Sequence, residues 1–143
     1  MRSAPADFCR RSFEYLCAIG YTYAASIITE NEFDPASVGK QQGGIPRNRI
    51  SASLTYTAPA GWRVIPQVRW LSKSWGDNDN TFPVDAHLVV DLAASYPVTR
   101  RLEAFVQIEN LFDERYIADN SGFELPRIGT PFSALAGLRW SLD

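Results

Sequence analysis

Residues 102–109 read Leu-Glu-Ala-Phe-Val-Gln-Ile-Glu, and residues 132–142 read Phe-Ser-Ala-Leu-Ala-Gly-Leu-Arg-Trp-Ser-Leu. In the first stretch Leu102, Ala104, Val106 and Ile108 alternate with a second set that contains two glutamates and a glutamine. In the second stretch every even-numbered residue is apolar. Successive side chains of a strand point to opposite faces, so both stretches predict strands with one apolar and one polar wall.

Four more stretches alternate in the same way and predict strands at residues 16–29, 47–58, 62–73 and 85–96. Pro66 lies on the apolar face of the third of these strands and cannot donate to the ladder, which weakens that strand or marks a bulge. The predicted fold class is all-β, an antiparallel up-and-down transmembrane β-barrel fragment of about six strands that does not close alone.

The connections between these strands alternate in length. Residues 30–44, 74–83 and 112–131 form long connections, whereas residues 59–61 and 97–100 form tight turns. Up-and-down outer-membrane barrels have short periplasmic turns and longer extracellular loops. The pattern therefore predicts a periplasmic C-terminus, with the loops at 31–42, 75–82 and 113–127 outside.

Charge and aromatic side chains are placed as a membrane would require. Lipid penalises a mid-span Lys or Arg by roughly 2–4 kcal/mol, so a lipid-facing wall must exclude charge. Eight charged residues within the strands all fall opposite the apolar set: Arg63, Arg69, Lys73, Asp85, Asp91, Glu103, Glu109 and Arg139. Aromatic rings favour membrane interfaces, and they form two predicted levels: Tyr56, Trp62, Tyr96 and Trp140 at one, Trp70, Trp75, Phe112 and Phe132 at the other.

Alternation also suits a small soluble β-barrel that binds an apolar ligand inside, and this alternative stays open at the level of sequence. What separates the two readings is the environment of Leu54, Val68, Val90 and Val106. Lipid around these side chains would support the membrane barrel, and a packed interior would support the soluble one.

Composition excludes several other classes of protein. The net charge of −2 over 143 residues predicts no nucleic-acid partner, and no apolar run is long enough for a transmembrane helix. His87 is the only histidine, and Cys9 and Cys17 lack partners at metal-ligand spacing, so neither a metal nor a cofactor is predicted. Two free thiols are favoured over a Cys9–Cys17 disulfide.

The N-terminus is the least coherent part of the chain. Residues 1–15 predict an atypical, irregular segment without a working signal peptide, although Arg10-Arg11 faintly resembles a twin-arginine signal. Residues 16–143 form the predicted barrel portion. Six strands would leave two edges unpaired, and open sheets do not span membranes, so the chain is predicted to be part of a larger barrel.

The run Ile108-Glu-Asn-Leu-Phe-Asp113, followed by Tyr116 and Pro126-Arg127, resembles the end of TonB-dependent outer-membrane receptors. Looser likeness extends back through Val90-Asp-Leu92, Gly76-Asp-Asn-Asp-Asn80 and Gly44-Ile-Pro-Arg47 to about Gly20. The resemblance implies a 22-stranded barrel with an N-terminal plug, of which only the last six strands are accounted for here.

The same resemblance implies a function and a set of partners. Such receptors import scarce nutrients, and the favoured nutrient here is a ferric siderophore. The implied partners are outer-membrane lipid, the remaining strands, the plug, the ligand and the TonB energy-coupling complex, which acts through the plug. A chain without the plug is not expected to transport alone.

Three groups of residues contain side chains that could form a chemical site. Asp85, His87, Asp91 and Ser95 share one face, but strand residues two apart stand about 6.6 Å apart, too far for a triad, and the chain is predicted not to be an enzyme. Residues 77–80, Asp-Asn-Asp-Asn, lack the glycine and glutamate of an EF-hand and predict a solvated loop. Residues 109–113 predict a structural turn.

Substrate contacts in the resembled family come from extracellular loops and the plug. On that basis the candidate contact residues of this chain are Trp75, Asp77, Asp79, Tyr116 and Phe123. No residue of the sequence favours a siderophore, cobalamin or a carbohydrate as the substrate.

Overall fold

The structure is a computed structural model that describes residues 14–119 and 127–142. Its strands, in chain order, are β1 (Glu14–Tyr23), β2 (Asn48–Thr57), β3 (Arg63–Leu71), β4 (Ser74–Trp75), β5 (Pro83–Val84), β6 (His87–Pro97), β7 (Leu102–Glu109), β8 (Ile117–Asp119), β9 (Arg127–Ile128) and β10 (Ser133–Trp140). A short 3-10 helix, Pro35–Ser37, precedes β2.

The six long strands form one antiparallel sheet in the order β1-β2-β3-β6-β7-β10. Each long strand pairs with the next long strand along the chain, and the remaining four strands form two small hairpins, β4–β5 and β8–β9. Because β1 and β10 are the two edges of this described sheet, the sheet is open. The predicted fold class is confirmed.

The register separates an apolar face from a polar one. One row of directly opposed residues crosses all six strands as Tyr15, Tyr56, Val64, Ala94, Val106 and Ala136. The neighbouring row, on the other face, reads Glu14, Thr57, Arg63, Ser95, Phe105 and Gly137. The predicted segregation of charge from the apolar wall is therefore present across the whole sheet.

The apolar face has no second layer packed on it. Ile19 is 81% exposed and Leu138 is 68% exposed, and within residues 14–119 and 127–142 the buried apolar side chains are only Ala58, Val84 and Val89. Leu54, Val68, Val90 and Val106 belong to this face by register. A soluble barrel would bury them in a packed interior, so the soluble alternative is not favoured.

Aromatic side chains occupy both ends of the sheet. Near the turn between β2 and β3, the Tyr56 ring lies 5.2 Å from that of Tyr15 and 5.1 Å from that of Trp62. Trp70 lies opposite Leu88, at the end where the long connections leave the sheet. Trp75 belongs to the β4–β5 hairpin and not to the six-stranded sheet.

Most predicted strand bounds agree with the structure, and β7 agrees at both ends. The prediction for residues 16–29 is wrong beyond Tyr23, because the chain leaves the ladder there and Ile27 forms a bridge with Gln41. Pro66 causes no bulge: it pairs with Leu92 in unbroken register. The described part of the chain holds no helix long and apolar enough to cross a membrane.

Some predictions fall outside the described residues. These are the structure of residues 1–13, the state of Cys9 and the placement of Phe123. Whether Cys9 pairs with Cys17 stays a prediction, as does the domain boundary at residues 15 and 16. Cys17 itself is exposed on the apolar face, opposite Leu54.

Candidate functional site

The three long connections, residues 24–47, 72–86 and 110–132, all leave the same end of the sheet. The two tight turns lie at the other end, where the Ala58 amide donates to the Trp62 carbonyl at 2.9 Å and the Val98 amide to the Leu102 carbonyl at 2.8 Å. The predicted alternation of long and short connections is confirmed. The polar side chains of the long connections form the candidate site.

Residues 77–80 lie against the preceding long connection. The Asn78 Oδ1 accepts from the Gly43 amide at 2.9 Å, and the Asp79 carboxylate lies 3.1 Å from Lys40 Nζ. The Asn80 side chain accepts from the Gln41 amide at 3.0 Å and donates to the Gln41 carbonyl at 2.7 Å. Asn78 and Asp79 are exposed, in agreement with the predicted solvated loop, but the side chains of this loop also bind another part of the protein.

Asp77 caps its own turn. Its carboxylate accepts from the Thr81 amide at 2.9 Å, from the Phe82 amide at 3.2 Å and from the Thr81 hydroxyl. Desolvation raises the pKa of Asp77, but the hydrogen bonds from Thr81 and Phe82 stabilise the carboxylate more, so the pKa lies below its ordinary value. The Asp77 carboxylate therefore stabilises the 77–82 turn through these hydrogen bonds.

Trp75 lies at the base of the β4–β5 hairpin. Its carbonyl accepts from the Gly44 amide at 2.6 Å, and Lys73 Nζ lies 5.6 Å from the centre of its ring. This is within the range of a cation–π interaction. The ring is half-buried, so it can still offer one part of its surface to a solute.

Tyr116 and His87 form the second aromatic feature at this end. Their rings are stacked, with centroids 4.4 Å apart and an interplanar angle of 20°. They border an open cleft of ≈ 420 Å³ between the start of β6 and the segment after β7. Asp85, Glu114 and Arg115 also line this cleft, which therefore offers stacking and hydrogen-bonding groups to a polar solute.

Asn110 anchors both ends of the third long connection. Its Nδ2 donates to the carbonyls of Glu114 and Thr130, each at 2.9 Å, and its Oδ1 accepts from the Glu114 amide at 2.9 Å. The side chain is only 1% exposed, and its φ of 50° is a left-handed conformation that Asn tolerates. Asp113 Oδ1 accepts from the Phe132 amide at 2.9 Å. The prediction that residues 109–113 are structural agrees with these contacts.

The turn at Asn110 is tied to charges on the polar face. Asp91 Oδ1 accepts from the Asn110 amide at 2.9 Å, while its Oδ2 lies 2.9 Å from the Arg69 guanidinium. Further toward the tight turns, Glu103 lies 3.2 Å from Arg63 and 3.1 Å from Arg139. These pairs cross from strand to strand and keep the charged groups on one face.

The four residues weighed as a hydrolytic set do not act together. Asp91 is engaged by Arg69 and Asn110, and the His87 ring faces the backbone carbonyl of Asp85 at 3.3 Å rather than its carboxylate. Within the described ranges no three His, Cys, Asp or Glu side chains come together as a metal site.

The structure thus assigns different roles to the candidate contact residues. Asp77 and Asp79 hold loop structure, whereas Trp75 and Tyr116 present ring surface; Phe123 lies outside the described residues. Sequence reasoning missed Asn80 and Gln41, and it placed Asn110 in a turn without recognising its three side-chain bonds. Their signal was weak, because an Asn in a loop suits many turns.

The comparison with protein families decides the identity of the sheet. Residues 12–111 match the model of the TonB dependent receptor-like β-barrel. The chain belongs to the TonB-dependent receptor family. Members of this family are outer-membrane proteins.

Curated relatives agree with this assignment. The chain is 33% identical over 93 residues to the vitamin B12 transporter BtuB of Photobacterium profundum, a match covering 64% of this chain and 15% of that protein. It is 26% identical over 129 residues to the ferrioxamine B receptor of Salmonella typhimurium, covering 85% of this chain and 18% of the receptor.

Solved structures share the fold. The siderophore receptor PiuA of Acinetobacter baumannii matches with a TM-score of 0.80 at 24% identity, covering 88% of this chain and 19% of PiuA. The ferric yersiniabactin uptake receptor FyuA of Yersinia pestis matches with a TM-score of 0.76 at 17% identity, covering 90% and 21%. The chain therefore spans about a fifth or less of the length of these relatives. These relatives are transport receptors, not enzymes.

Proposed function

We propose that this sheet forms part of the wall of a TonB-dependent outer-membrane receptor that imports a ferric siderophore. One observation carries the proposal: the row Tyr15, Tyr56, Val64, Ala94, Val106 and Ala136 is apolar across all six strands, and the neighbouring row on the opposite face holds Glu14 and Arg63. A wall with one uncharged face and one charged face suits lipid outside and a polar lumen inside.

The lipid-facing assignment is tested by two adjacent residues of β7. Val106 belongs to the apolar row, and Gln107 lies on the polar face. Val106→Arg places a cation against lipid near mid-span, at a cost of about 2–4 kcal/mol. Gln107→Arg adds the same side chain to the polar face and serves as the matched control.

The two variants are made in the native gene product and followed by the amount of folded receptor in the outer membrane. Val106→Arg should lower that amount several-fold, and Gln107→Arg should leave it near the wild-type value. Equal amounts of the two variants would contradict the lipid-facing assignment, and with it the proposed function.

The siderophore is favoured over other nutrients by the names of several relatives. A ferrioxamine B receptor and a ferripyoverdine receptor are among the curated matches, and PiuA and FyuA are among the structures. The match to a vitamin B12 transporter favours cobalamin instead. The stacked His87 and Tyr116 rings and the charged cleft beside them support a polar, partly aromatic solute.

Uptake measurements separate these nutrients. A host that lacks its own receptors and carries the native gene product should take up radiolabelled ferric siderophore and not radiolabelled cobalamin. Deletion of the host's TonB should abolish this uptake if the energy-coupling complex is a partner. Cobalamin uptake alone would overturn the siderophore assignment, and uptake that persists without TonB would overturn the energy-coupled mechanism.

A further inference from the structure

The Asn80 side chain joins two long connections by bonding to a backbone as a neighbouring β-strand would. Its side-chain amide pairs with both backbone groups of Gln41, accepting from the amide at 3.0 Å and donating to the carbonyl at 2.7 Å. An antiparallel strand pair exchanges the same two bonds. Asn80 has a left-handed φ of 57°, and its Nδ2 also donates to the Asp77 carbonyl at 3.2 Å, so the side chain joins its own turn to Gln41.

Gln41 is itself tied into the first connection. It is only 8% exposed, it forms a backbone bridge with Ile27, and its Nε2 donates to the Ile45 carbonyl at 2.7 Å. Because Gln41 bonds to Ile27 on one side and to Ile45 on the other, a displacement of Asn80 that moves Gln41 also moves both halves of the 24–47 connection.

Neighbouring contacts extend the attachment along four residues of each connection. Lys40 meets Asp79, Gly43 donates to Asn78, and Gly44 donates to the Trp75 carbonyl at 2.6 Å. The approach is closest at Gly43, where an added Cβ would lie 2.9 Å from the Asp77 carbonyl carbon. Only glycine allows the two backbones to come this near.

We propose that residues 77–80 are a latch that joins the connections 24–47 and 72–86 into one conformational unit, with Asn80 as the residue that releases it. Both connections then open and close together, and a solute that contacts either one biases both. Trp75 and Asp79, two of the three contact candidates in the second connection, are thereby coupled to Lys40 and Gln41 in the first. This goes beyond the proposed transport function and does not depend on which solute is carried.

Two isosteric substitutions in the same segment test the latch. Asn80→Asp keeps the acceptor for the Gln41 amide but replaces the donor Nδ2 by an oxygen that faces the Gln41 carbonyl and the Asp77 carbonyl of its own turn. Asn78→Asp adds the same charge but preserves the only interaction that Asn78 makes with Gly43, because Oδ1 remains an acceptor. Asp tolerates the left-handed conformation at position 80.

The measurement is amide hydrogen exchange of the full native gene product in lipid vesicles, compared over residues 38–46 and 76–84. Asn80→Asp should increase exchange about ten-fold or more in both segments, equivalent to about 1.4 kcal/mol of lost protection. Asn78→Asp should stay within about two-fold of wild type. Amides of β7 and β10 report whether the barrel is folded in each variant.

Gly43→Ala approaches the latch from the other connection and should give the same joint increase. The proposal is overturned if Asn80→Asp leaves both segments protected, or if exchange rises in residues 76–84 alone, since the connections would then move independently. The experiment contains no solute, so a failure of the siderophore assignment leaves its outcome unchanged.

Discussion

Replacing Asn110 should destabilise the barrel. Asn110→Gly removes three side-chain hydrogen bonds, two to carbonyls and one from an amide, each 2.9 Å long. At roughly 1 kcal/mol for each bond, the loss is about 3 kcal/mol. Glycine adopts the φ of 50° without strain, so this variant isolates the hydrogen bonds.

Asn110→Ala adds a backbone penalty to the same loss. A Cβ without a compensating side-chain bond is disfavoured in the left-handed region by about 1–2 kcal/mol. The expected total is about 4–5 kcal/mol, and the expected order of stability is wild type, then Asn110→Gly, then Asn110→Ala. Asp113→Asn keeps the acceptor for the Phe132 amide and should stay close to wild type.

Reversible urea unfolding of the native gene product in lipid vesicles gives the free energies of unfolding, provided that the transition is two-state. An Asn110→Gly variant within about 0.5 kcal/mol of wild type would refute the reasoning, because the three bonds would then contribute nothing. A reversed order of the glycine and alanine variants would refute the backbone argument alone.

Two further predictions concern the loops. The folded pKa of Asp77 lies below its ordinary value of 3.8. Its carboxylate therefore stabilises the 77–82 turn above that pH and loses this effect as the pH falls through the folded pKa. Exchange of the Thr81 amide, relative to its intrinsic rate, should rise in acid in the wild type and should not rise in Asp77→Asn. Gly129→Ala should displace the Tyr116 ring from His87, since the added Cβ would overlap Tyr116 Cζ. Diethyl pyrocarbonate should then modify His87 faster than in wild type, and unchanged reactivity would count against the stacked arrangement.

The sheet could be predicted from the sequence because apolar and polar side chains alternate with a period of two along each strand. In β7 the alternation of Leu102 to Glu109 gave both strand ends, and the same period located the other five long strands. Length alternation of the connections then fixed which strand ends lie together. Prediction failed beyond Tyr23, where Ala25 and Ile27 continue the alternation although the chain has already turned to pair with its own loop.

The candidate site was less predictable because its contacts have no period. Asn80 and Gln41 lie 39 residues apart, and nothing in the spacing of either connection marks the other as its partner. Asn110 was placed in a turn from its residue type, but its bond to the Thr130 carbonyl joins residues that lie 20 positions apart, at the two ends of the 110–132 connection. Amide side chains that bind backbone groups leave no alternation to detect.

Pro66 has a consequence for the order in which the sheet comes apart. The ladder between β2 and β3 pairs Ser53 with Gln67 and resumes only at Tyr56 and Val64, although its register is constant. On its other side β3 pairs without interruption, through Pro66 and Leu92. Under mechanical load, β3 is therefore expected to part from β2 more readily than from β6.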